Sequence, residues 1–207
     1  MHCYGVIPDN LRGRVIDIAE YTRAFVRKIV CGNNHCLIWF NDGQLAGFGS
    51  NEEGQLGFDF KKNENFINEI KINKFTFIDP ETQAYIKEYE IWDIAAGDNF
   101  SLILVKTGKK TYLVKFGLTT EDRYRGDQEK LSSVNVVEIN YEKLGNITNI
   151  YVFGQRSLLL NTENDIFVGG VDFNLNPLDK YKHIDRFPRQ IKNIYMGQEH
   201  FLILDCK

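Results

Sequence analysis

The chain has 207 residues, of which 43 % are hydrophobic and 13 % aromatic, and its formal net charge is −3 at pH 7. This composition is typical of a globular domain with a substantial core and excludes an intrinsically disordered chain. Lysines and arginines are scattered and form no basic arm, so we expect no direct nucleic-acid binding through phosphate contacts.

Residues 1–13 lack the basic start and apolar run of a secretory signal, and the longest apolar stretches are too short to cross a membrane. The four cysteines have no Cys-x-x-Cys spacing and lie in apolar, strand-like segments: Cys3, Cys31, Cys36 and Cys206. We interpret them as buried, reduced thiols rather than metal ligands or disulfides. A cytoplasmic or nuclear location, with no membrane partner, is therefore expected.

A ten-residue pattern that starts with Ile-x-x-Gly recurs along the chain. Its copies cover residues 29–38, 94–103, 150–159 and 194–203, and the third copy has its glycine displaced by one. We interpret each copy as one strand, which a polar turn joins to a second strand. The second strands end in an aromatic or apolar residue and a glycine, at Phe48–Gly49, Phe116–Gly117 and Val168–Gly169.

The fourth copy stops at Lys207, directly after its first strand. The N-terminal segment supplies an aromatic–glycine ending of the missing kind, at Tyr4–Gly5. We therefore predict a circular permutation, in which the N-terminal strand completes the sheet that the C-terminal strand begins. The chain would be a single domain, residues 1–207, with repeats at approximately 14–57, 58–118, 119–171, and 172–207 plus 1–13.

The segments between the hairpins also contain strand-forming residues, which gives three or four strands per repeat. Further strands are predicted at 75–78, 134–139 and 187–191. Loops are predicted at 57–65, 119–129 and 172–183.

The first copy is the best preserved and continues beyond its second strand. Its residues are Ile29, Gly32, His35, Leu37, Gly43, Phe48, Gly49, Asn51, Gly54, Gln55, Leu56 and Gly57. This pattern resembles the repeat of the regulator of chromosome condensation family. The resemblance implies an all-β fold, a β-propeller of small antiparallel blades. The chain has room for about four blades, so we expect a small propeller that is closed by pairing of its N- and C-terminal strands. The alternative is an open arc of blades that another subunit completes.

No residue pattern indicates catalytic chemistry. His35 and His200 occupy the same repeat position, which favours a structural hydrogen-bonding role over a metal or acid–base pair. The glycines around Phe48 have the wrong spacing for a phosphate-binding loop, and no serine lies in a nucleophile elbow. We therefore expect a non-enzymatic protein without catalytic, cofactor-binding or metal-binding residues.

One charged loop surrounds an aromatic side chain and is the candidate partner-binding site: Asp122, Arg123, Tyr124 and Arg125. Exposed Tyr and Arg are frequent interface anchors, and loops on a rigid scaffold often carry function. A merely solvated loop is the alternative. The two tryptophans, Trp39 and Trp92, are expected to pack in the core or between blades.

These features predict a protein–protein interaction module, a scaffold subunit of a multi-protein complex, whose partners are one or more proteins. The family resemblance implies an alternative, guanine-nucleotide exchange on a Ran-type small GTPase, because members of the family carry that activity. Chromatin association is a third hypothesis, and the acidic net charge and missing basic tail weaken it.

Overall fold

Antiparallel β-strands make up almost all of the regular secondary structure that the described residues form. A computed structural model describes residues 22–57, 66–73, 76–108, 110–117, 135–171, 177–197 and 200–206. Within these ranges the only helix is the four-residue α1 (Tyr141–Leu144), and no helix is long and apolar enough to cross a membrane. The all-β prediction is confirmed.

Most strands belong to four sheets that follow one another along the chain. The first sheet contains β1 (Val26–Cys31), β2 (His35–Phe40), β3 (Leu45–Ser50) and β4 (Phe66–Asn73). A short hairpin of β5 (Phe77–Ile78) and β6 (Tyr85–Ile86) precedes the second sheet. The second sheet contains β7 (Glu90–Ala96), β8 (Phe100–Thr107), β9 (Lys110–Gly117) and β10 (Asn135–Glu138). The third contains β11 (Ile147–Phe153), β12 (Arg156–Asn161), β13 (Asp165–Val171) and β14 (Pro177–Arg186). The fourth has two described strands, β15 (Ile191–Met196) and β16 (Phe201–Asp205).

The ten-residue signature is a tight hairpin, and the prediction of a single strand is wrong. In the first sheet the Gly32 N–H donates to the His35 carbonyl at 2.8 Å and closes a turn between β1 and β2. The same bond closes the turns at Gly97 in the second sheet and at Gly197 in the fourth. Each signature therefore contributes two strands, and the first three sheets have four strands each, within the predicted three or four per repeat.

The glycine at the end of each third strand has a left-handed backbone. Gly49, Gly117 and Gly170 have φ angles of 101°, 82° and 83°. A Cβ at any of the three would overlap the carbonyl oxygen of the residue just before the second strand. In the third sheet this glycine comes one residue later than the predicted Val168–Gly169 ending, because the register pairs Ser157 with Gly169.

The fourth strands of the sheets lie between the signature hairpins. The strand predicted at 134–139 is present as β10. The loop predicted at 172–183 is wrong from Pro177 onward, where β14 begins. Residues 187–190, predicted as part of a strand, instead connect β14 to β15.

Hydrophobic clusters fill the spaces between successive sheets, so the sheets stack face to face. The first cluster contains Leu37 and Trp39 of the first sheet with Ile94, Ile103 and Val114 of the second. The second cluster contains Leu102 and Leu104 of the second sheet with Ile150 and Leu159 of the third. The third cluster contains Leu158 and Leu160 of the third sheet with Ile194 and Ile203 of the fourth. Burial of each such side chain stabilises the fold by about 1.5–3 kcal/mol.

The first strands of the four sheets are neighbours, since β1 contacts β7, β7 contacts β11 and β11 contacts β15. Each has a register shift just before the isoleucine of its signature. In β7 the shift lies between Ile91 and Asp93, and Asp93 is buried. Its carboxylate accepts hydrogen bonds from Lys28 Nζ on β1 at 2.6 Å and from Ile150 N on β11 at 2.9 Å. One side chain therefore links three sheets.

The sheets do not close into a hydrogen-bonded ring within the described ranges, since no ladder there joins the fourth sheet to the first. The closing strand predicted at Tyr4–Gly5 lies outside the described residues. Closure, the count of four blades and the repeat boundaries therefore stay predictions.

Candidate interaction surface

The fourth sheet has one buried face and one open face. On the open face, Tyr195 of β15 pairs directly with Leu202 of β16, and Leu204 follows two residues later. Their exposed fractions are 56 %, 65 % and 44 %. Side chains alternate along a strand, so Phe201 and Ile203 point the other way and pack against the third sheet. We call Tyr195, Leu202 and Leu204 the open face.

The same ladder positions are buried in the other three sheets. The residues at the place of Leu202 are Leu37, Leu102 and Leu158, and they are 1 %, 3 % and 0 % exposed. The residues at the place of Leu204 are Trp39, Leu104 and Leu160, and they are 4 %, 0 % and 3 % exposed. In each case the next sheet along the chain covers the side chains. The open face is therefore the surface on which a further sheet would stack.

Isolated exposed leucines are ordinary on protein surfaces, but a contiguous apolar group at an unoccupied packing position is not. The three side chains of the open face are adjacent on two paired strands, and none of them is charged. Such an uncharged centre is typical of the buried part of protein–protein interfaces.

The described ladder of β16 differs from that of the other second strands. Within the described ranges β16 is hydrogen-bonded to β15 alone, whereas β2, β8 and β12 each have a partner strand on both sides. His200, which precedes β16, is exposed, whereas its equivalent His35 is buried.

His35, in the first sheet, is hydrogen-bonded to the second sheet. Its Nε2 lies 2.9 Å from Ser101 Oγ, and Ser101 Oγ donates to the Gln55 carbonyl at 2.8 Å. Because that hydroxyl proton is used, Nε2 carries the imidazole proton and donates to Ser101. Burial lowers the pKa of His35 to about 4, so the ring is neutral near pH 7.

A cavity of about 270 Å³ lies where the first strands of all four sheets converge. Its wall includes Lys28, Cys31, Ala96, Tyr151 and Asn193. Lys28, Tyr151 and Asn193 contribute polar side chains to the lining, beside apolar residues such as Val30 and Ile94. β1 and β15 are the first strands of the first and last described sheets, and both border this central cavity.

The charged loop predicted to bind a partner, residues 122–125, lies outside the described residues. Trp39 packs between the first and second sheets as expected, with the Arg27 guanidinium 4.1 Å from its ring centroid. Trp92 is 38 % exposed rather than buried, and Lys106 Nζ lies 3.7 Å from its ring centroid.

The interpretation of the cysteines as buried thiols is wrong for two of them. Cys31 and Cys206 are exposed and Cys36 is half-buried, while Cys3 lies outside the described residues. Both exposed cysteines stand at the ends of strands, next to a turn or a chain terminus, where the apolar pattern of the strand no longer implies burial.

The open face was missed because its sequence is that of a core segment. Leu202 and Leu204 follow the same alternating pattern as Leu37 and Trp39, which are buried. The segment itself therefore carries no signal that separates an exposed position from a buried one.

Comparison with known proteins agrees with this architecture. Residues 26–55 match the family model described as the regulator of chromosome condensation (RCC1) repeat. This confirms the resemblance seen in the first copy. No curated protein matches the chain in sequence.

Solved β-propeller structures have a similar fold. Human WBSCR16 is 16 % identical with a TM-score of 0.64, over 89 % of this chain and 46 % of that one. The structure of Kap60 bound to yeast RCC1 (Prp20) gives 18 % identity and a TM-score of 0.52, over 85 % of this chain and 41 % of that one. At these identities the likeness shows the fold alone. The chain spans less than half the length of either matched structure.

Proposed function

We propose that this chain, which carries a regulator of chromosome condensation repeat and has the fold of the related propellers, is a non-enzymatic protein–protein interaction module. It binds its partner on the open face of the fourth sheet. The observation that carries the proposal is the contrast at one ladder position, where Leu202 is 65 % exposed and its three equivalents are at most 3 % exposed.

The covered faces indicate the chemistry of the partner. Leu158 and Leu160, the equivalents of Leu202 and Leu204, pack against Ile194 and Ile203 of the adjoining antiparallel sheet. The interface on the open face repeats this packing of one sheet on the next. The partner is therefore a separate protein that presents a β-sheet with an aliphatic face, which buries the open face as the second, third and fourth sheets bury the others.

A second copy of this chain does not supply that face in a head-to-tail contact. The corresponding surface of the first sheet contains Ile38, Phe40 and Ala46, which are all 0 % exposed. A head-to-tail contact between copies would require this surface to be uncovered first. The proposed partner is therefore a different polypeptide, and the crosslinking experiment below distinguishes it from a contact between the open faces of two copies. In the similar yeast structure, RCC1 is bound to a protein, Kap60, which agrees with a role in protein binding for the fold.

The test begins with a photo-crosslinking residue at position 202 in the native full chain, followed by identification of the crosslinked peptide. We expect a β-strand segment of a different protein with an alternating aliphatic face. That protein is then purified and its Kd is measured for the wild-type chain and for Leu202→Glu. A charge buried in an apolar interface should weaken binding at least about tenfold.

Phe153→Glu is the matched control, because Phe153 is 44 % exposed, like Leu204, but lies in the third sheet. It should bind like the wild type. Equal losses in both variants, or a crosslink to a second copy of this chain, would contradict the proposal.

The family resemblance supports one alternative, nucleotide exchange on a small GTPase. It is tested by the release of labelled GDP from a Ran-type GTPase in the presence of the full chain. Acceleration that is retained in Leu202→Glu would show an exchange activity independent of the open face and would replace the scaffold function.

A further inference from the structure

Cys31 and Cys36 face each other across the first signature hairpin. They are direct partners in the β1–β2 ladder, at the last pair before the turn. Cys31 is exposed and lines the central cavity, and Cys36 is half-buried. We propose that these two residues form a redox-active dithiol, which exchanges with low-molecular-weight disulfides and closes to a reversible cross-strand disulfide.

The hydrogen-bond pattern gives the pair a suitable geometry. Gly32 and His35 form the hydrogen-bonded pair that closes the turn. Hydrogen-bonded and non-hydrogen-bonded pairs alternate along an antiparallel ladder, so Cys31 and Cys36 are a non-hydrogen-bonded pair. The Cα atoms of such pairs lie about 4.5 Å apart, within the range of about 4.4–6.8 Å that a disulfide spans.

The two thiols have different roles. Cys36 donates a hydrogen bond to the sulfur of Cys31, which lowers the pKa of the Cys31 thiol. Cys31 is also the more accessible of the two, so it is the attacking thiolate. Cys36 lies in contact behind it and serves as the resolving thiol.

The pair is not part of the repeated framework. The corresponding ladder positions hold Ala96 and Ser101 in the second sheet, and Met196 and Phe201 in the fourth. The fold therefore does not require sulfur at these positions. Only the first sheet combines two thiols there with an opening to the central cavity.

The reaction balances with glutathione disulfide as the oxidant. The Cys31 thiolate attacks one sulfur of glutathione disulfide, and one glutathione leaves as a thiolate. The Cys36 thiol loses its proton and attacks the Cys31 sulfur, and the second glutathione leaves. Two cysteines are oxidised, glutathione disulfide is reduced to two glutathione thiols, and the protons of the two cysteines end on these products.

The test uses the full chain with Cys3→Ser and Cys206→Ser, so that only the pair can react. Glutathione disulfide is added to the folded protein, and the product is followed by intact mass and by alkylation of free thiols. We expect the loss of two hydrogen atoms, no remaining free thiol, and full reversal by dithiothreitol. Circular dichroism before and after oxidation checks that the protein stays folded.

Single variants separate the two roles. Adding Cys36→Ser should stop the reaction at a mixed disulfide that carries one glutathione on Cys31. Adding Cys31→Ser should slow glutathione addition at least about tenfold, because the remaining thiol is less accessible and has lost its activated partner. A mixed disulfide that persists when both cysteines are present, or a disulfide that forms only in denaturant, would overturn the proposal.

Discussion

At the scale of single residues, burial decides the charge of His35. The ring fits between the first and second sheets only in its neutral form, with Nε2 donating to Ser101 Oγ. Its other nitrogen, Nδ1, is buried and has no hydrogen-bond partner among the described residues. Protonation would place a second donor and a full charge in this apolar space.

The pH dependence of stability follows from this. The pKa of His35 is about 4 in the folded chain against an ordinary 6.5. Between these values the unfolded chain binds the proton more strongly, so stability is full above pH 6.5 and falls as the pH drops towards 4. The contribution is at most on the order of 3 kcal/mol. Thermal melts of the wild type and of His35→Phe from pH 7.5 to 4.5 measure it.

His35→Phe places at this position the residue that the second sheet has at its own, Phe100, which is buried. The variant should therefore fold and should lose less stability with acid than the wild type. An identical pH profile for the two proteins would show that His35 is not the titrating group. The carboxylates are common to both and cancel in the comparison.

At the scale of elements, the left-handed glycines fix where each third strand ends. Gly49 has a φ of 101°, and a Cβ added to it would overlap the Asn34 carbonyl that precedes β2. Gly43, in the turn between β2 and β3, also has a positive φ, 83°, but has open space around it. Alanine substitutions at the two positions therefore distinguish the cost of backbone strain from the cost of steric overlap.

Gly49→Ala should destabilise the chain by about 2–4 kcal/mol, because strain and overlap act together. Gly43→Ala should cost about 1 kcal/mol, since only the left-handed backbone opposes a side chain there. Urea denaturation of the two variants tests the difference. Equal losses would mean that the close approach at Gly49 contributes nothing.

The elements also show what the sequence could predict. The recurring copies and the glycines that end the third strands could be predicted from the sequence, because they repeat at matching positions. The turn inside each signature was missed, although Gly32, Asn33 and Asn34 in the first copy are residue types that favour turns. β14 was read as a loop because its residues are largely charged, from Asp179 to Arg186, a composition common in edge strands.

At the scale of the whole molecule, exposure depends on the neighbouring sheet rather than on the local pattern. Leu158 and Leu202 occupy equivalent positions with the same side chain, but one is 0 % and the other 65 % exposed. No property of either segment alone distinguishes them. The open face could therefore be recognised only once the order and stacking of the sheets were known.

Substitutions of Leu158 and Leu202 measure how much covering by the next sheet contributes to the free energy of unfolding. Leu158→Ala should cost about 2–5 kcal/mol, because it leaves a cavity between the third and fourth sheets. Leu202→Ala should change stability by less than about 0.5 kcal/mol in the isolated chain. Denaturant unfolding of the two variants provides the comparison, and a large loss in Leu202→Ala would show that the open face is already covered in solution.

Each sheet packs mainly on its neighbours. This arrangement also sets the order in which the sheets unfold. The second and third sheets are held on both faces, whereas the fourth rests on the third through one face and has two described strands. In arrays of this kind, local opening starts at the unit with the fewest contacts. The fourth sheet is therefore the unit that frays first, and a bound partner would raise the free energy of that opening before any other.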